Sequence, residues 1–294
     1  DLTLKKGEVM GLVGESGSGK SVTALAIAGL LQSSAKVKIR GRMVFDGQAP
    51  ASMAMVRPRR TQKVAMVFQD PFDSLNPAFT VGYQIQEVFR EQKGLKKREA
   101  WAKALAMLDK VKIPSPACVA AQYPHQLSGG MCQRVMIAIA LAAEPELLIA
   151  DEPTTALDVT IQAQILQLLH ELNRDTGAAI VFITHDMGVV AQFCHSVAIM
   201  LEGEIVEQGP AATLFKHPLH PYTRGLLNSI PVIGRQERLQ PAPPSEDIDE
   251  EITGCGYYSR CPVRCDGCRT IPPRIMAHTP GHFVRCIARA DESP

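Results

Sequence analysis

The stretch Gly14-Glu15-Ser16-Gly17-Ser18-Gly19-Lys20-Ser21 decides the fold class of this chain. It fits the pattern G-x-x-x-x-G-K-[ST], in which glycines let successive backbone N–H groups turn inward around phosphate oxygens. Before it, Val9 to Val13 is an apolar, β-favouring run, and after it Ser21 to Leu31 is helix-like. A strand, a glycine-rich loop and a helix in this order predict the phosphate-binding loop of an α/β protein.

The residues of this loop predict a nucleotide and magnesium as ligands. Lys20 would contact the β and γ phosphates, and the Ser21 hydroxyl would ligate Mg²⁺. The residues expected to bind the nucleotide here are Gly14, Ser16, Gly17, Ser18, Gly19, Lys20, Ser21 and Val22. A glycine-rich turn without nucleotide is the alternative, but the four fixed positions arise by chance in about one chain of this length in a hundred.

A second stretch, Leu147-Leu148-Ile149-Ala150-Asp151-Glu152, is an apolar strand that ends in two carboxylates. Ligands of α/β proteins bind at the carboxyl ends of parallel strands. Asp151 can therefore reach magnesium, and Glu152 can accept a proton from an attacking water; alone, the pattern can also mean a capped helix start. His185, after the apolar run 180–184, is a candidate sensor of the γ-phosphate, although a lone histidine there is more often a capping or core residue.

The remaining pattern alternates strands with helices, which predicts a sheet with parallel strands at its centre. Helical spacing from Gln84 to Val111, bounded by prolines, indicates an inserted helical subdomain over about residues 71–143. The other expected elements are helices over 132–143 and 160–175, strands over 147–150 and 178–184, and a strand pair over 196–201 and 204–207 with its turn at Glu202-Gly203. We predict one nucleotide-binding domain over residues 1–230.

The tail differs in composition from this domain. Residues 231–253 contain several prolines and the acidic run Glu246 to Glu251, which predicts a linker. Residues 254–294 are too few to be stable on apolar burial alone, so we expect a small cysteine-rich domain with a metal. Five of the eight cysteines lie between Cys255 and Cys286, and in a reducing cytosol such clustering favours metal ligation over disulfides.

Composition and charge exclude several classes of protein. A hydrophobic fraction of 46% and a formal net charge of +1 are typical of a globular chain. The basic clusters Lys96-Lys97-Arg98 and Arg57-Pro58-Arg59-Arg60 are too short for a nucleic-acid footprint. No stretch reaches the roughly 18 apolar residues of a membrane helix, and no signal peptide opens the sequence, so we expect a cytosolic protein. Because Asp1 is not a methionine, we expect a longer natural sequence.

The stretch Leu127-Ser128-Gly129-Gly130-Met131-Cys132-Gln133-Arg134 resembles the signature of ABC transporter ATPases. It stands in that family's order: phosphate loop, Gln69, signature, Asp151-Glu152, Asp158, His185. The resemblance implies an ABC ATPase core with a helical subdomain, in which two nucleotide-binding domains meet head to tail. Each ATP would lie between one subunit's phosphate loop and the other's signature, where Ser128, Gly129 and Gly130 suit a γ-phosphate at a helix N-terminus.

The same resemblance assigns roles to single residues. The expected catalytic residues are Glu152, His185 and Gln69, and the expected magnesium ligands are Ser21, Gln69 and Asp151. Asp158 would belong to the dimer contact between the two ATP sites. In the family an aromatic residue upstream of the phosphate loop stacks on adenine, and this strand precedes Asp1, so we name no adenine ligand.

Further motifs resemble the ATP-binding subunits of dipeptide and oligopeptide permeases. They are Phe68-Gln69-Asp70-Pro71, Ser74-Leu75-Asn76-Pro77, Tyr123-Pro124-His125-Gln126 and His217-Pro218-Leu219-His220-Pro221-Tyr222-Thr223. This resemblance covers nearly the whole chain and implies peptide import, with nickel, glutathione or metallophore import as the alternative. The implied partners are two transmembrane permease subunits, a sibling ATP-binding subunit and an extracytoplasmic substrate-binding protein, at the cytoplasmic face of the inner membrane. A soluble ABC ATPase acting on nucleic acid is a weaker alternative, because the chain has no long coiled-coil insert.

The tail cysteines Cys255, Cys261, Cys268 and Cys286 are similar to those that hold an iron–sulfur cluster in this permease group. Soft thiolates suit a 4Fe-4S cluster or zinc. The extra Cys265 creates a C-x3-C-x2-C spacing that also occurs in radical enzymes using S-adenosylmethionine, but those enzymes need a barrel. We expect a 4Fe-4S cluster on the four cysteines, with Cys265 as a substitute ligand; zinc and free or disulfide-linked thiols are the alternatives.

Overall fold

The computed structural model describes residues 1–31, 39–45, 63–155, 157–230 and 252–289. The chain forms two compact units. The first unit contains Asp1–Leu4, Glu8–Lys20 and Thr184–Pro294, and the second unit contains Lys5–Gly7 and Ser21–Ile183. The basic cluster at residues 57–60, and the prolines and acidic run of the predicted linker, lie outside the described residues. None of the described helices is long and apolar enough to cross a membrane.

The strands, in chain order, are β1 (Val9–Val13), β2 (Val64–Val67), β3 (Leu147–Asp151), β4 (Ala179–Thr184), β5 (Ser196–Leu201), β6 (Glu204–Pro210), β7 (Met276–Thr279) and β8 (His282–Val284). The helices are α1 (Lys20–Ile27), α2 (Pro71–Ser74), α3 (Val81–Lys93), α4 (Lys97–Lys110), α5 (Pro116–Ala120), α6 (Gly129–Ala142), α7 (Val159–Thr176), α8 (Met187–Phe193), α9 (Ala211–Lys216), α10 (Pro221–Asn228) and α11 (Gly267–Thr270). Short 3₁₀ turns lie at Pro124–Gln126, Tyr258–Arg260 and Ile287–Arg289.

In the first unit the strand order is β1-β5-β6-β8-β7. β1 and β5 are parallel, and the other neighbouring strands are antiparallel. The predicted pair of β5 and β6 is confirmed. Its turn has positive φ at both Glu202 (46°) and Gly203 (83°), which is the conformation of a tight hairpin.

The end of the tail continues this sheet. β8 pairs with β6, with Gln208 opposite Phe283, and β7 pairs with β8. The expected separate cysteine-rich domain is therefore not supported. So short a segment has few apolar residues of its own, and pairing with an existing sheet satisfies its backbone hydrogen bonds and buries part of its surface. The boundaries placed at residues 230 and 254 remain predictions.

In the second unit β2, β3 and β4 are adjacent and parallel, with Val67 opposite Ala150 and Asp151 opposite Ile183. β3 and β4 are buried along their whole length, as expected for strands covered on both faces. Together the two units confirm a mixed α/β architecture. Sequence reasoning misses β2, because an apolar run of four residues cannot be assigned to strand or helix by its pattern alone.

The helices of the second unit follow their capping residues. The predicted helical stretch from Gln84 to Val111 is two helices, α3 and α4, because Gly94 ends α3 in the left-handed conformation with φ of 65°. The helix expected from Cys132 begins at Gly129, because Ser128 caps it. The buried apolar side chains of α3 and α4 are Val81, Ile85, Phe89, Ala100, Ala104 and Leu108.

Candidate functional site

The phosphate loop of the first unit connects β1 to α1. Gly17 and Gly19 have φ of 82° and 98°, a conformation that residues with a side chain rarely adopt. At Gly14 an added Cβ would collide with the carbonyl oxygen of Met200, so only glycine fits there. The Gly203 N–H donates to the Ser18 carbonyl at 2.9 Å. The turn between β5 and β6 therefore helps to fix the loop.

The Lys20 side chain folds back onto this loop. Its Nζ donates to the carbonyl oxygens of Gly14 and Glu15, both at 2.8 Å. At Gly17 an added Cβ would meet no heavy atom within 4 Å, so there is room in front of the loop. Curled backbone N–H groups, an ammonium group and open space together fit the phosphates of a nucleotide.

His185, the predicted γ-phosphate sensor, also belongs to the first unit. It follows the end of β4, and its side chain is exposed. The helix-capping role that a histidine could have here is filled by Asp186, whose Oδ1 accepts the N–H groups of Gly188 and Val189 at 2.8 and 3.2 Å. His185 is therefore neither a core residue nor the cap of α8, and its contact with a γ-phosphate remains a prediction.

Gln69 and Glu152 come together in the second unit. They follow β2 and β3, which are adjacent and parallel, so their side chains reach the same edge of the sheet. Gln69 Nε2 donates to Glu152 Oε2 at 3.2 Å. Asp151, the predicted magnesium ligand, is the last residue of β3 and is 6% exposed. Gln69 is exposed and Glu152 is half-buried, so water can reach this pair, as a proton acceptor requires.

Sequence reasoning misses Thr155, whose hydroxyl donates to the same Oε2 atom of Glu152 at 2.9 Å. Glu152 itself has φ of 45°, which is uncommon for a residue with a side chain and is typical of functional sites. Its N–H donates to the Ile183 carbonyl at 3.0 Å. Two donors to one carboxylate oxygen and a fixed backbone orient Glu152. The only signal in the sequence was the position of Thr155, three residues after the acid.

The signature residues and Asp158 lie at the N-termini of two helices of the second unit. Ser128 caps α6 by accepting the Met131 N–H at 3.4 Å. Asp158 caps α7 by accepting the Ile161 N–H at 3.0 Å. An added Cβ at Gly130 would lie 2.9 Å from Ile161 Cγ2, so the two helix starts are close. The residues predicted to meet a partner's ATP therefore share one surface.

The tail thiols do not form the ligand set that the sequence predicts. Cys265 Sγ and Cys268 Sγ are 3.2 Å apart. Across the parts of the chain that the structure describes, no group of three or more His, Cys, Asp or Glu side chains is arranged to hold a metal ion. Burial raises the pKa of Cys268 to about 11 and raises the pKa of Cys255 and Cys261. A bound metal deprotonates the thiols that bind it, so these raised pKa values do not bear on ligation. The expected cluster on Cys255, Cys261, Cys268 and Cys286 is not supported because the described side chains form no metal-binding group.

Comparison with protein families gives two matches. Residues 1–155 match the family described as ABC transporter. Residues 206–268 match the family described as the C-terminal region of oligopeptide and dipeptide transporters. The first match contains the phosphate loop, the signature and Glu152, and the second contains the run from His217 to Thr223.

Relatives and solved structures agree with these matches. A probable peptide ABC transporter ATP-binding protein of Sinorhizobium fredii is 49% identical, over 96% of this chain and 86% of the relative. The oligopeptide transport ATP-binding protein OppD of Salmonella typhimurium is 44% identical, over 99% and 88%. The dipeptide transport ATP-binding protein DppD of Escherichia coli is 45% identical, over 99% and 90%.

Among solved structures, cbiO1 from Clostridium perfringens, part of an ABC transporter complex, has a TM-score of 0.63 and 30% identity, covering 74% of this chain and 82% of that protein. A dimeric ATP-binding cassette in a post-hydrolysis state with ADP and Pi has a TM-score of 0.61 and 30% identity, covering 71% and 88%. These likenesses extend the P-loop ABC ATPase fold over most of the chain. The chain therefore belongs to the ABC transporter family, among the ATP-binding proteins of its oligopeptide and dipeptide transporters.

Proposed function

We propose that this chain is the ATP-hydrolysing subunit that powers import of oligopeptides or dipeptides through an ABC permease. The observation that carries the proposal is the identity of 43–49% to peptide-transport ATP-binding proteins over nearly the whole chain. These relatives do not favour a nickel, glutathione or metallophore importer, and they give no support to a nucleic-acid ATPase.

The phosphate loop would bind the nucleotide in this role. Gly14, Ser16, Gly17, Ser18 and Gly19 give the backbone its curvature, and Lys20, Ser21 and Val22 continue it into α1. Lys20 would leave the Gly14 and Glu15 carbonyls and bind the phosphates, since the charge of a phosphate attracts an ammonium more strongly than a neutral carbonyl does. Magnesium, when bound, would neutralise phosphate charge, and Ser21, Gln69 and Asp151 are its proposed ligands.

Glu152 would accept the proton of the water that attacks the γ-phosphate. The Gln69 amide and the Thr155 hydroxyl both donate to Oε2, so they would hold the carboxylate in one orientation while the proton is taken up. His185 would contact the γ-phosphate. In this class of reaction the protein contributes positioning and electrostatic stabilisation, because phosphoryl transfer itself needs little covalent chemistry from the protein.

The subunit would act in a complex on the cytoplasmic face of the inner membrane. A sibling ATP-binding subunit would pack head to tail against this one, so that each ATP lies between two subunits. The residues of this chain that would face the sibling subunit are Ser128, Gly129, Gly130 and Asp158. Two transmembrane permease subunits would dock around residues 69–83 and the helical subdomain, by analogy with the family. Three aromatic side chains in or next to this stretch are exposed, Phe68 by 37%, Phe72 by 49% and Phe79 by 43%, so apolar surface is available there for a partner. An extracytoplasmic binding protein would deliver the peptide.

An iron–sulfur cluster on the tail is a separate proposal, and no step of hydrolysis depends on it. Its support is the family pattern of Cys255, Cys261, Cys268 and Cys286 in the sequence, and thiolates suit such clusters. Against it stands the arrangement of the thiols described above. Analysis of iron and sulfide in anaerobically purified protein decides the matter: about four of each per chain supports the cluster, and protein without iron rules it out.

Peptide import is tested with the complete complex in proteoliposomes. The complex is purified from membranes with its permease subunits and binding protein, and uptake is measured with a labelled tripeptide, labelled glutathione and nickel. We expect ATP-dependent uptake of the tripeptide, which unlabelled peptide abolishes and glutathione leaves unchanged. Uptake of nickel or glutathione without uptake of peptide would contradict the proposed substrate.

A further inference from the structure

Glu15, the second residue of the phosphate loop, is bound by two residues from the C-terminal half of the first unit. Its backbone N–H donates to Tyr222 Oη at 2.9 Å. Its carboxylate accepts from Arg260 Nη1, which lies 3.1 Å from both Oε1 and Oε2. These contacts join parts of the chain that are more than 200 residues apart in sequence. Glu15 occupies a variable position of the loop motif, and it has no role among the proposed nucleotide-binding or catalytic residues.

Tyr222 is a rigid acceptor for the Glu15 N–H. It is 1% exposed, at the start of α10, and its ring packs against Tyr257 with the ring centroids 5.4 Å apart. Burial raises the pKa of Tyr222 to about 12. The hydroxyl therefore stays neutral at physiological pH, and the packed ring keeps it at the loop.

Arg260 is held in place by the same aromatic cluster. Its guanidinium lies 5.2 Å from the centroid of the Tyr257 ring, a cation–π geometry. It is the last residue of the 3₁₀ turn Tyr258–Arg260, which runs between Cys255 and Cys261. The Tyr257 ring that supports the guanidinium is itself buried, since Tyr257 is only 2% exposed. The tail thus presents a fixed positive charge to the Glu15 carboxylate.

The carbonyl of Glu15 connects these anchors to the nucleotide-binding groups. It accepts from Lys20 Nζ at 2.8 Å and from the Ser18 N–H at 3.2 Å. Lys20 and Ser18 are both expected to contact phosphate. When Tyr222 and Arg260 fix the Glu15 peptide and carboxylate, they also fix the starting position of Lys20 and the curvature of the loop.

We propose that Tyr222 and Arg260 are positioning residues that keep the phosphate loop in its nucleotide-binding conformation. The inference rests on the proposed function, in that the loop is taken to bind ATP. If only a fraction of the loops has the binding conformation, the apparent dissociation constant for the ligand equals the intrinsic constant divided by that fraction. Losing an anchor would therefore raise the KM for ATP, whereas loops that have bound ATP would still hydrolyse it at the normal rate.

The test measures ATP hydrolysis by the complete transporter complex carrying Tyr222→Phe or Arg260→Ala. Tyr222→Phe keeps the ring and removes the acceptor of the Glu15 N–H. We expect KM for ATP to rise about fivefold, the equivalent of one lost hydrogen bond, with kcat unchanged.

Arg260→Ala should raise KM about threefold, because its ion pair is partly exposed, and Arg260→Lys should restore part of the loss. Glu15 and Arg260 are the two partners of one ion pair. The double variant Glu15→Gln with Arg260→Ala should therefore bind ATP no more weakly than either single variant.

Two variants serve as matched controls. Tyr258→Phe removes a phenol from the same segment, and Arg274→Ala removes an exposed arginine of the tail; neither should change KM. A merely structural effect of Tyr222→Phe or Arg260→Ala would reduce the amount of active protein, so it would lower kcat and leave KM unchanged. That result, or unchanged values of both constants, overturns the inference alone. A wild-type complex that does not bind ATP overturns the proposed function, and with it this inference.

Discussion

At the scale of single residues, Glu152 is the carboxylate proposed to accept a proton, and the structure holds it in one orientation. Its backbone has φ of 45°, and Gln69 and Thr155 both donate to its Oε2 atom. Strain of this kind costs about 1–3 kcal/mol and persists where the surrounding structure requires it. A carboxylate held in this way needs no reorganisation before it accepts a proton.

Glu152→Gln tests this assignment directly. The amide keeps the size of the side chain but cannot accept a proton from water, so we expect ATP to bind normally while phosphate release falls by at least about 100-fold. Binding is measured with a fluorescent ATP analogue and release with a phosphate sensor. Glu171→Gln is the control, because Glu171 on α7 forms a partly exposed ion pair with Lys112, and such pairs contribute little. Equal phosphate release by Glu152→Gln and wild type would mean that another group accepts the proton.

The residues of the site differ in how readily the sequence predicts them. The positions of Gly14 to Ser21 and of Glu152 are predictable, because each follows an apolar run that forms a buried strand. Thr155 and Tyr222 are not, because a hydroxyl that orients another group can come from any element that folds nearby. No spacing rule connects Tyr222 to Glu15 across more than 200 residues.

At the scale of elements, the turn from His217 to Thr223 is organised by a buried carboxylate on β6. Glu207 is fully buried, and it accepts the N–H groups of Leu219 and His220 at 2.9 and 2.8 Å. His282 on β8 lies 2.8 Å from it. Burial alone would raise the pKa of Glu207, but the hydrogen bonds from His282 and the backbone lower it overall. The carboxylate thus joins β6, β8 and the start of α10, which carries Tyr222.

His220, in the same turn, makes the stability of the protein depend on pH. Burial lowers its pKa from 6.5 to about 4, against the opposing effect of Glu207. Between these values the unfolded chain takes up a proton and the folded protein does not. Stability is therefore lost as the pH falls from about 6.5 to 4, by on the order of 3 kcal/mol. The lowered pKa of Glu207 adds a further loss, which begins at about pH 4.5, where the unfolded carboxylate takes up a proton, and is complete once the folded carboxylate does so.

His220→Asn isolates this effect. His220 Nδ1 caps α10 by accepting the Tyr222 N–H at 3.1 Å, and asparagine can cap a helix without titrating. We expect the denaturant midpoint of the wild type to fall more steeply between pH 6.5 and 4 than that of the variant. All other titrating groups are common to both proteins, so parallel pH profiles would show that His220 is not the source.

The sequence pattern predicts the elements of the core better than those of the tail. β3, β4, β5 and β6 lie within about one residue of their expected starts, because their apolar runs are bounded by charged residues and glycines. β7 and β8 are missed, because they are short, follow prolines and gain their stability by pairing with β6. The family resemblance identifies the run from His217 to Thr223, but it gives no indication that Glu207 holds this turn.

At the scale of the whole molecule, the tail takes part in the ATPase core. β8 extends the sheet that contains β1, and Arg260 contacts the phosphate loop that follows β1. Both contacts lie within the first unit. In the proposed transporter, a change in the tail would therefore alter nucleotide affinity directly.

The central claim is that this subunit couples ATP hydrolysis to peptide import, and phosphate release by the assembled complex tests it most directly. In the proteoliposomes described above, release is measured with the binding protein empty and then loaded with tripeptide. We predict that the loaded binding protein stimulates release, and that Glu152→Gln in this subunit removes the stimulation together with peptide uptake. Peptide uptake that continues without phosphate release would contradict the account.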